Sequence, residues 1–301
     1  MWFILSLIAL LCWSGSDLFS KIGCADAQDK RSPLKMVLAV GVVMGLHALY
    51  ELTLGGASLT FADVLTYLPV SALYISSMAI GYLGLRYIEL SVSSPICNSS
   101  GALVAILTLA VFGLGEISPW QLVAVGLVVV GVVALGFVEA GEDEDLRRAR
   151  QEKGNYKYAK SWLAIGLPVI YCLLDALGGF ADSIVLQKLE ESSANAAYEL
   201  TFLVVGLCCG VVLLLKREKP SFKRAWPRFT GAIFETAGQF AYIYAMADTE
   251  HVALAAPVIS AYCAASVLWG RIFLKEKLSF KHYLCIATIV VGIVILGILD
   301  A

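Results

Sequence analysis

Pro95, Leu114-Gly115-Glu116 and Val128-Val129-Val130-Gly131 are three landmarks that occur twice in this chain, in the same order. The second series is Pro257, Leu274-Lys275-Glu276 and Ile289-Val290-Val291-Gly292. The offset between corresponding residues stays between 160 and 162. Three further pairs obey it: Trp2 and Trp162, Cys12 and Cys172, Tyr82 and Tyr242. A series that recurs at one offset indicates a duplicated structural unit.

The composition indicates that both units lie in a membrane. Hydrophobic residues make up 59% of the 301 residues and charged residues only 15%, which is too apolar for a soluble chain of this length. A helix needs about 20 apolar residues to cross a bilayer. The predicted spans are 2–21, 34–52, 63–85, 91–112, 119–138, 161–187, 195–215, 229–247, 251–273 and 281–299.

Five predicted spans fall in each unit. An odd number of spans ends on the opposite side from where it began, so the second unit must insert upside down relative to the first. We therefore predict an all-α integral membrane protein with ten transmembrane helices in two inverted five-helix repeats. The first repeat covers 1–140, a charged cytoplasmic linker covers 141–160, and the second repeat covers 161–301.

The basic residues predict the orientation. With ten spans, 21 of the 22 Lys and Arg residues fall on one side, and Lys188 alone faces the other. Loops rich in Lys and Arg stay in the cytoplasm. We therefore expect a multi-pass protein of the cytoplasmic (inner) membrane whose short termini are both extracytoplasmic.

Several function classes have no support in the sequence. The chain has three His and eight Cys residues, without the spacing of a zinc, redox or cysteine–histidine site. Zinc-protease and serine-hydrolase motifs and a phosphate-binding loop are also missing. We expect no catalytic residues, no metal and no cofactor, and the small cytoplasmic surface argues against nucleic-acid binding.

Glycine and proline predict how the spans pack. Gly41-Val42-Val43-Met44-Gly45 in span two and Gly206-Leu207-Cys208-Cys209-Gly210 in span seven each open one helix face for close approach, although these faces do not require a dimer. Pro95 and Pro257 are expected in the first turns of spans four and nine, where the missing N–H costs nothing. The alternative is a deeper position that frees a backbone carbonyl.

The repeated pattern resembles the EamA family of the drug/metabolite transporter superfamily. The residues that carry the resemblance are Leu114-Gly115-Glu116-Ile117-Ser118, Leu274-Lys275-Glu276-Lys277-Leu278-Ser279, and Cys12-Trp13-Ser14-Gly15-Ser16 through Lys21. The resemblance implies ten helices, pseudo-twofold symmetry in the membrane plane and a central cavity with alternating access. Because family members handle amino acids, sugars, nucleobase-like metabolites and drug-like compounds, it does not fix the substrate.

Ionisable residues inside spans are candidate functional groups, because each costs about 2.5–3.5 kcal/mol to insert. Asp175 lies near the middle of span six, and Gly178-Gly179 could break that helix and expose backbone groups to a ligand. The alternative is a structural carboxyl group that bonds to a neighbouring helix.

A second polar group lies on span eight. Glu235 and Gln239 are four residues apart and share a helix face, which Tyr242 continues. These residues could bind an ammonium, hydroxyl or amide group of a substrate, or they could form a hydrogen-bonded cluster between helices. Tyr74, Asn98 and Tyr262 are further candidates for the substrate site.

Asp17 and Lys21 are four residues apart at the inner end of span one. We expect an ion pair, and the matching lysine of the family pattern also suggests an inner gate. His47 and Glu51 have a spacing that would suit two metal ligands, but two ligands do not make a site, and a hydrated vestibule is the expected role.

Together these features predict a secondary transporter that moves a small organic metabolite or drug-like solute across the bilayer by alternating access. Proton-coupled export through Asp175 or Glu235 is the expected form, since a buried carboxyl group can exchange a proton. The alternatives are an uncoupled facilitator or exchanger, and then an ion channel or an intramembrane enzyme. The expected partners are the substrate, lipid and protons, and the chain could be a monomer or a homodimer.

Overall fold

The computed structural model describes residues 1–24, 29–85, 90–113, 117–140, 162–218 and 222–300, and the linker 141–160 and the landmark Leu114-Gly115-Glu116 lie outside these ranges. The described residues form helices without strands. The helices are α1 Trp2–Cys24, α2 Ser32–Tyr50, α3 Phe61–Leu85, α4 Leu90–Asn98, α5 Ser100–Phe112, α6 Pro119–Ala140, α7 Trp162–Val185, α8 Glu191–Leu215, α9 Phe222–Met246, α10 Val252–Ser260, α11 Tyr262–Phe273 and α12 Phe280–Asp300.

The predicted spans agree with these helices. In the described part of the chain, nine helical segments are long and apolar enough to cross a membrane. The remaining predicted span, 229–247, falls in α9, which has 25 residues but carries more polar side chains than the others. The chain is therefore an all-helical, multi-pass membrane protein.

The helices turn apolar side chains outward, as a bilayer requires. Leu11, Phe137, Val204 and Ile298 are 59–74% exposed on the outer faces of their helices. In a soluble protein such a surface would be an aggregation hazard, whereas in lipid it meets hydrocarbon. Polar side chains are left for the interior, where neighbouring helices can satisfy them.

The two halves of the chain pack by a symmetric set of helix pairs. Helix α1 contacts α9, and α3 contacts α7. Each of these pairs joins the first span of one half to the third span of the other. Corresponding helices pair directly in α2 with α8 and in α6 with α12. Exchanging the two halves leaves this set of pairs unchanged, which is what a twofold relation between them requires.

Spans four and nine are each made of two helices. Span four is interrupted at Ser99, between α4 and α5, and span nine at Ala261, between α10 and α11. Pro95 and Pro257 lie inside α4 and α10, so the expectation that they begin these helices is wrong. A membrane helix tolerates a proline and a nearby break when protein surrounds the freed backbone groups, and 83% of the most apolar part of span nine is buried.

Glycine sets the closest helix contacts. A Cβ atom on Gly41 would lie 2.7 Å from the Phe202 carbonyl oxygen and 3.0 Å from Gly206 Cα, so α2 and α8 could not pack this closely with larger residues. The predicted packing role of this pair is confirmed. Gly178 and Gly179 do not break α7, which is continuous. Their missing side chains instead make room for the Tyr74 ring and for Val104.

Candidate functional site

A central cavity lies between the two halves of the chain. Its volume is about 970 Å³, including the part that is open to solvent. The cavity collects all seven residues that the sequence analysis proposed for substrate binding: Tyr74, Asn98, Asp175, Glu235, Gln239, Tyr242 and Tyr262. Their spans are far apart in the sequence, so the packing of both halves is needed to bring them together. Whether they bind a substrate stays a prediction.

Three carboxyl groups line this cavity, and each accepts a hydrogen bond from serine on another helix. Ser100 Oγ donates to Asp175 Oδ2 at 2.7 Å, and Ser16 Oγ donates to Glu235 Oε2 at 2.6 Å. Asp17 Oδ2 accepts from two serines, one on α4 and one on α11. All three carboxyl groups are only half-buried, because part of each faces the cavity.

The expected ion pair between Asp17 and Lys21 stays a prediction. The hydrogen bonds of Asp17 lead to Ser94 at 2.7 Å and Ser266 at 2.8 Å. Lys21 Nζ donates to the Leu85 carbonyl oxygen at 2.7 Å. The residue as a whole is buried, with a relative exposure of 4%. Since Leu85 lines the cavity, Lys21 lies directly behind its surface at the C-terminal end of α3.

Aromatic rings surround the carboxyl groups. The ring of Trp13 lies 5.1 Å from that of Tyr242 and 5.8 Å from that of Tyr262, measured between centroids. Gly238 makes this possible, because a Cβ atom there would lie 2.4 Å from the Trp13 ring. In the sequence Trp13 is only a family landmark, and nothing in its spacing indicates contact with both tyrosines.

Asp182 forms a closed cluster next to the cavity, and the two share Tyr74 and Tyr242. Its carboxylate accepts hydrogen bonds from Tyr67, from Tyr74 at 2.9 Å and from Tyr242 at 3.0 Å. The two tyrosines Tyr74 and Tyr242 also contact each other through their hydroxyl groups. Asp182 is fully buried, so this cluster joins α3, α7 and α9 without room for a ligand.

Some polar atoms on the cavity surface lack a hydrogen-bond partner among the described residues. They include Gln239 Nε2, Tyr82 Oη and Ser20 Oγ, which are on residues that are at least 95% buried. A buried donor without a partner is costly, so the cavity surface is suited to a polar ligand. No group of three or more His, Cys, Asp or Glu residues in the described ranges could hold a metal ion.

His47 has a partner that the sequence analysis missed. Its Nδ1 atom lies 2.8 Å from Glu199 Oε1 on α8, whereas Glu51 lies 3.8 Å from its other ring nitrogen. Glu199 is fully buried, so this contact ties α2 to α8. A charged residue within the apolar span 195–215 is the signal that could have found Glu199.

A network of ion pairs joins the two halves at the end where α1 is followed by α2. Asp29 accepts from Lys35 and from Arg228 at 2.9 Å, and Glu218 pairs with Lys35 and Arg31. Burial alone would raise the pKa of Asp29, but the hydrogen bond and charge of Lys35, together with the charge of Arg228, lower it below its ordinary value. The hydrogen bonds from Lys35 and Arg31 likewise lower the pKa of Glu218.

Part of this chain is similar to a known protein family. The EamA-like transporter family matches residues 163–298. The match covers most of the second half of the chain. The family is part of the drug/metabolite transporter superfamily, which implies a membrane transporter of small molecules rather than an enzyme. The EamA-like half supplies Asp175, Glu235, Gln239, Tyr242 and Tyr262 to the cavity.

A solved structure supports the fold of the whole chain. A crystal structure described only as that of a protein aligns with 98% of this chain and 96% of its own, with a TM-score of 0.64. The two sequences are 12% identical, so this likeness shows the fold alone. No curated protein matches the chain in sequence.

The serines that bind the cavity carboxyl groups had no recognisable signal in the sequence. Ser16, Ser94, Ser100 and Ser266 lie on four different helices of the two halves, and serine within a membrane helix more often bonds back to its own backbone. Only the approach of a carboxyl group from another helix gives these four a different role.

Proposed function

We propose that this chain is a secondary transporter that moves a small organic solute across the cytoplasmic membrane by alternating access. The observation that carries the proposal is the cavity between the two halves, which is lined by three carboxyl groups and a set of aromatic rings on helices of both halves. Groups so expensive to place in a bilayer are most often kept for binding or coupling.

Alternating access would use the two repeats, 1–140 and 161–301, as bodies that rock against each other around the cavity. The exchange-symmetric helix pairs support this proposal, because a twofold-related pair of bodies can open to either side by equivalent motions. The distribution of Lys and Arg supports short termini outside the cell and the linker 141–160 in the cytoplasm.

Proton coupling is the form of transport that the cavity supports best. Asp175 and Glu235 are bound by neutral serine hydroxyls, and both face the cavity. Each could therefore release a proton to one side and regain it from the other. We expect Asp175→Asn and Glu235→Gln to abolish solute flux driven by a pH gradient in proteoliposomes. If pH-driven flux is unchanged in both variants, the proposal of proton coupling through these residues is wrong.

The transporter proposal itself is tested by binding and counterflow. Thermal stabilisation of the detergent-purified protein would be measured against amino acids, sugars, nucleobases and cationic drugs, since a ligand of the folded state raises its apparent Tm by mass action. A stabilising compound should then show counterflow in proteoliposomes. If ligands bind but none is exchanged across the vesicle membrane, the chain is not a transporter of those compounds.

An uncoupled facilitator or exchanger is the second candidate, because the same cavity can serve passive exchange. It predicts counterflow at a rate that a pH gradient does not change. Export, which the family resemblance favours, would be separated from uptake by comparing the retention of the identified substrate in cells with and without the protein.

A further inference from the structure

We infer that the cavity selects organic cations, namely protonated amines or quaternary ammonium compounds with an aromatic or alkyl body, and that Asp175 and Glu235 supply its negative charge. This inference rests on the proposed transport function and names the substrate class of the same cavity. It is based on three observations: the charged groups around the cavity, the carboxyl oxygens that can accept further hydrogen bonds, and the aromatic rings that surround them.

The charged side chains of the cavity surface are all acidic. Asp17, Asp175 and Glu235 line it, and among the described residues no Lys, Arg or His does so. Lys21 lies behind the surface at Leu85, one helical turn along α1 from Asp17. Asp175 and Glu235 therefore face the cavity without a basic side chain on its surface, among the residues that the structure describes.

The hydrogen bonds of these two carboxyl groups are incomplete. An ionised carboxylate offers about four lone-pair sites, whereas one serine hydroxyl donates to Asp175 Oδ2 and one to Glu235 Oε2. A neutral hydroxyl does not offset the cost of a buried charge, which a proton or a bound cation can offset. The half-exposed oxygens are therefore suited to accept hydrogen bonds from an ammonium group or to lie against a quaternary one.

The surrounding rings favour the same ligand. Trp13, Tyr242 and Tyr262 form one continuous aromatic surface, with centroid separations of 5.1 and 5.8 Å. Ring faces attract cations, tryptophan most strongly, and they also bury the apolar body of the ligand. Carboxylates combined with aromatic faces and without a basic group favour a cation over a neutral sugar or an anion.

The same arrangement discriminates against zwitterions. A carboxylate on the ligand would meet three acidic side chains and no basic partner on the cavity surface, and such like-charge contacts reject a ligand. The donor Gln239 Nε2, one turn from Glu235 and without a partner among the described residues, can instead bind a neutral oxygen of the ligand. The cavity is thus suited to an amine that carries a hydroxyl, ether or carbonyl group.

The test uses three probes that share an indole ring and differ in charge, together with one quaternary cation. Tryptamine is a cation, tryptophan a zwitterion and indole-3-propionate an anion, and benzyltrimethylammonium carries a permanent positive charge. Binding to the purified protein would be measured by thermal shift and calorimetry. We expect tryptamine and benzyltrimethylammonium to bind saturably, and both to bind at least about tenfold more tightly than tryptophan or indole-3-propionate.

Variants locate the site of binding. Asp175→Asn and Glu235→Gln keep the size of each side chain and an oxygen that can accept the serine hydrogen bond. Each should weaken cation binding by about tenfold or more, because a charge-assisted contact is lost. Glu199→Gln is the matched control, since Glu199 is also a buried intramembrane carboxyl group but does not line the cavity, and it should leave cation affinity unchanged.

The outcomes separate this inference from the transporter proposal. Binding and counterflow of tryptophan or indole-3-propionate in preference to the cations would overturn the cation inference and leave transport standing. Cation binding that survives both Asp175→Asn and Glu235→Gln would also overturn it. Cation binding that depends on these residues, but without benzyltrimethylammonium counterflow, would support the site and contradict the transporter proposal. The wild-type charge series needs no variant, so a folding defect in one variant does not prevent the test.

Discussion

Asp175 and Asp182 lie on the same face of α7, seven residues apart, yet the protein uses them differently. Asp175 is half-buried, faces the cavity and accepts a hydrogen bond from Ser100. Asp182 is fully buried and accepts hydrogen bonds from three tyrosines. A carboxyl group in a membrane is costly in either place. The comparison teaches that its neighbours decide whether it is a structural acceptor or remains available to a ligand.

Removing the Asp182 acceptor should have the largest effect on stability. Asp182→Ala removes the acceptor of three buried tyrosine hydroxyls, of which Tyr74 and Tyr242 keep only their contact with each other, and each unsatisfied group costs about 1–3 kcal/mol. We expect a destabilisation of about 3 kcal/mol or more, measured as a fall in the apparent Tm of the purified protein. Asp175→Ala on the same helix is the control and should cost much less. An Asp182→Ala protein of normal Tm would contradict the structural role.

The reverse pattern is expected for transport at the cavity carboxyl group. Asp175→Asn should lower solute flux by tenfold or more, which corresponds to about 1.4 kcal/mol, and should leave Tm nearly unchanged. Initial rates in proteoliposomes at matched protein density would give the flux. If Asp175→Asn instead lowers stability as strongly as Asp182→Ala, the two carboxyl groups are both structural.

Single donors should give intermediate effects. Tyr67→Phe removes one of the three hydrogen bonds to Asp182, and because Tyr67 does not line the cavity we expect a loss of about 1 kcal/mol of stability without a change in ligand affinity. Tyr74→Phe should alter both properties, since Tyr74 bonds Asp182 and also lines the cavity. Equal ligand affinity in both variants would show that the cluster and the cavity are independent.

Asp29, outside the membrane spans, should give the smallest effect and a defined pH dependence. Its pKa is lowered from 3.8 in the folded protein, so its contribution is fully present above pH 3.8 and is lost as the pH falls through the lower folded value. Asp29→Asn should therefore cost about 1 kcal/mol near neutral pH. The difference in Tm from the wild type should shrink as the solution is acidified below pH 4. A Tm difference that grows on acidification would contradict the predicted direction of this pH dependence.

Much of the fold could be read from the sequence, because a bilayer leaves few choices. An apolar segment of about 20 residues must cross as a helix, and the offset of 160–162 residues exposed the duplication. The breaks in spans four and nine could not be placed in the same way. The prolines drew attention to these spans, but the interruptions at Ser99 and Ala261 depend on the protein that surrounds the helices.

The residues of the candidate site were recognisable one by one, since a carboxyl group such as Asp175 or Glu235 stands out in an apolar span. The contacts between these residues and their neighbours could not be recognised in this way. From the sequence, Gly178 and Gly179 could have broken α7, but they instead admit neighbouring side chains to an unbroken helix. The role of a small residue depends on what approaches it, and helix periodicity does not contain that information.

The sequence by itself determined the helical membrane architecture, the duplication and the inventory of polar groups within the spans, because the cost of burying charge in lipid acts on every residue separately. Only the tertiary structure decided that Ser100 meets Asp175, that three tyrosines close around Asp182, and that Trp13 lies between Tyr242 and Tyr262. These contacts join residues up to hundreds of positions apart, and they form only when helices of both halves pack against each other.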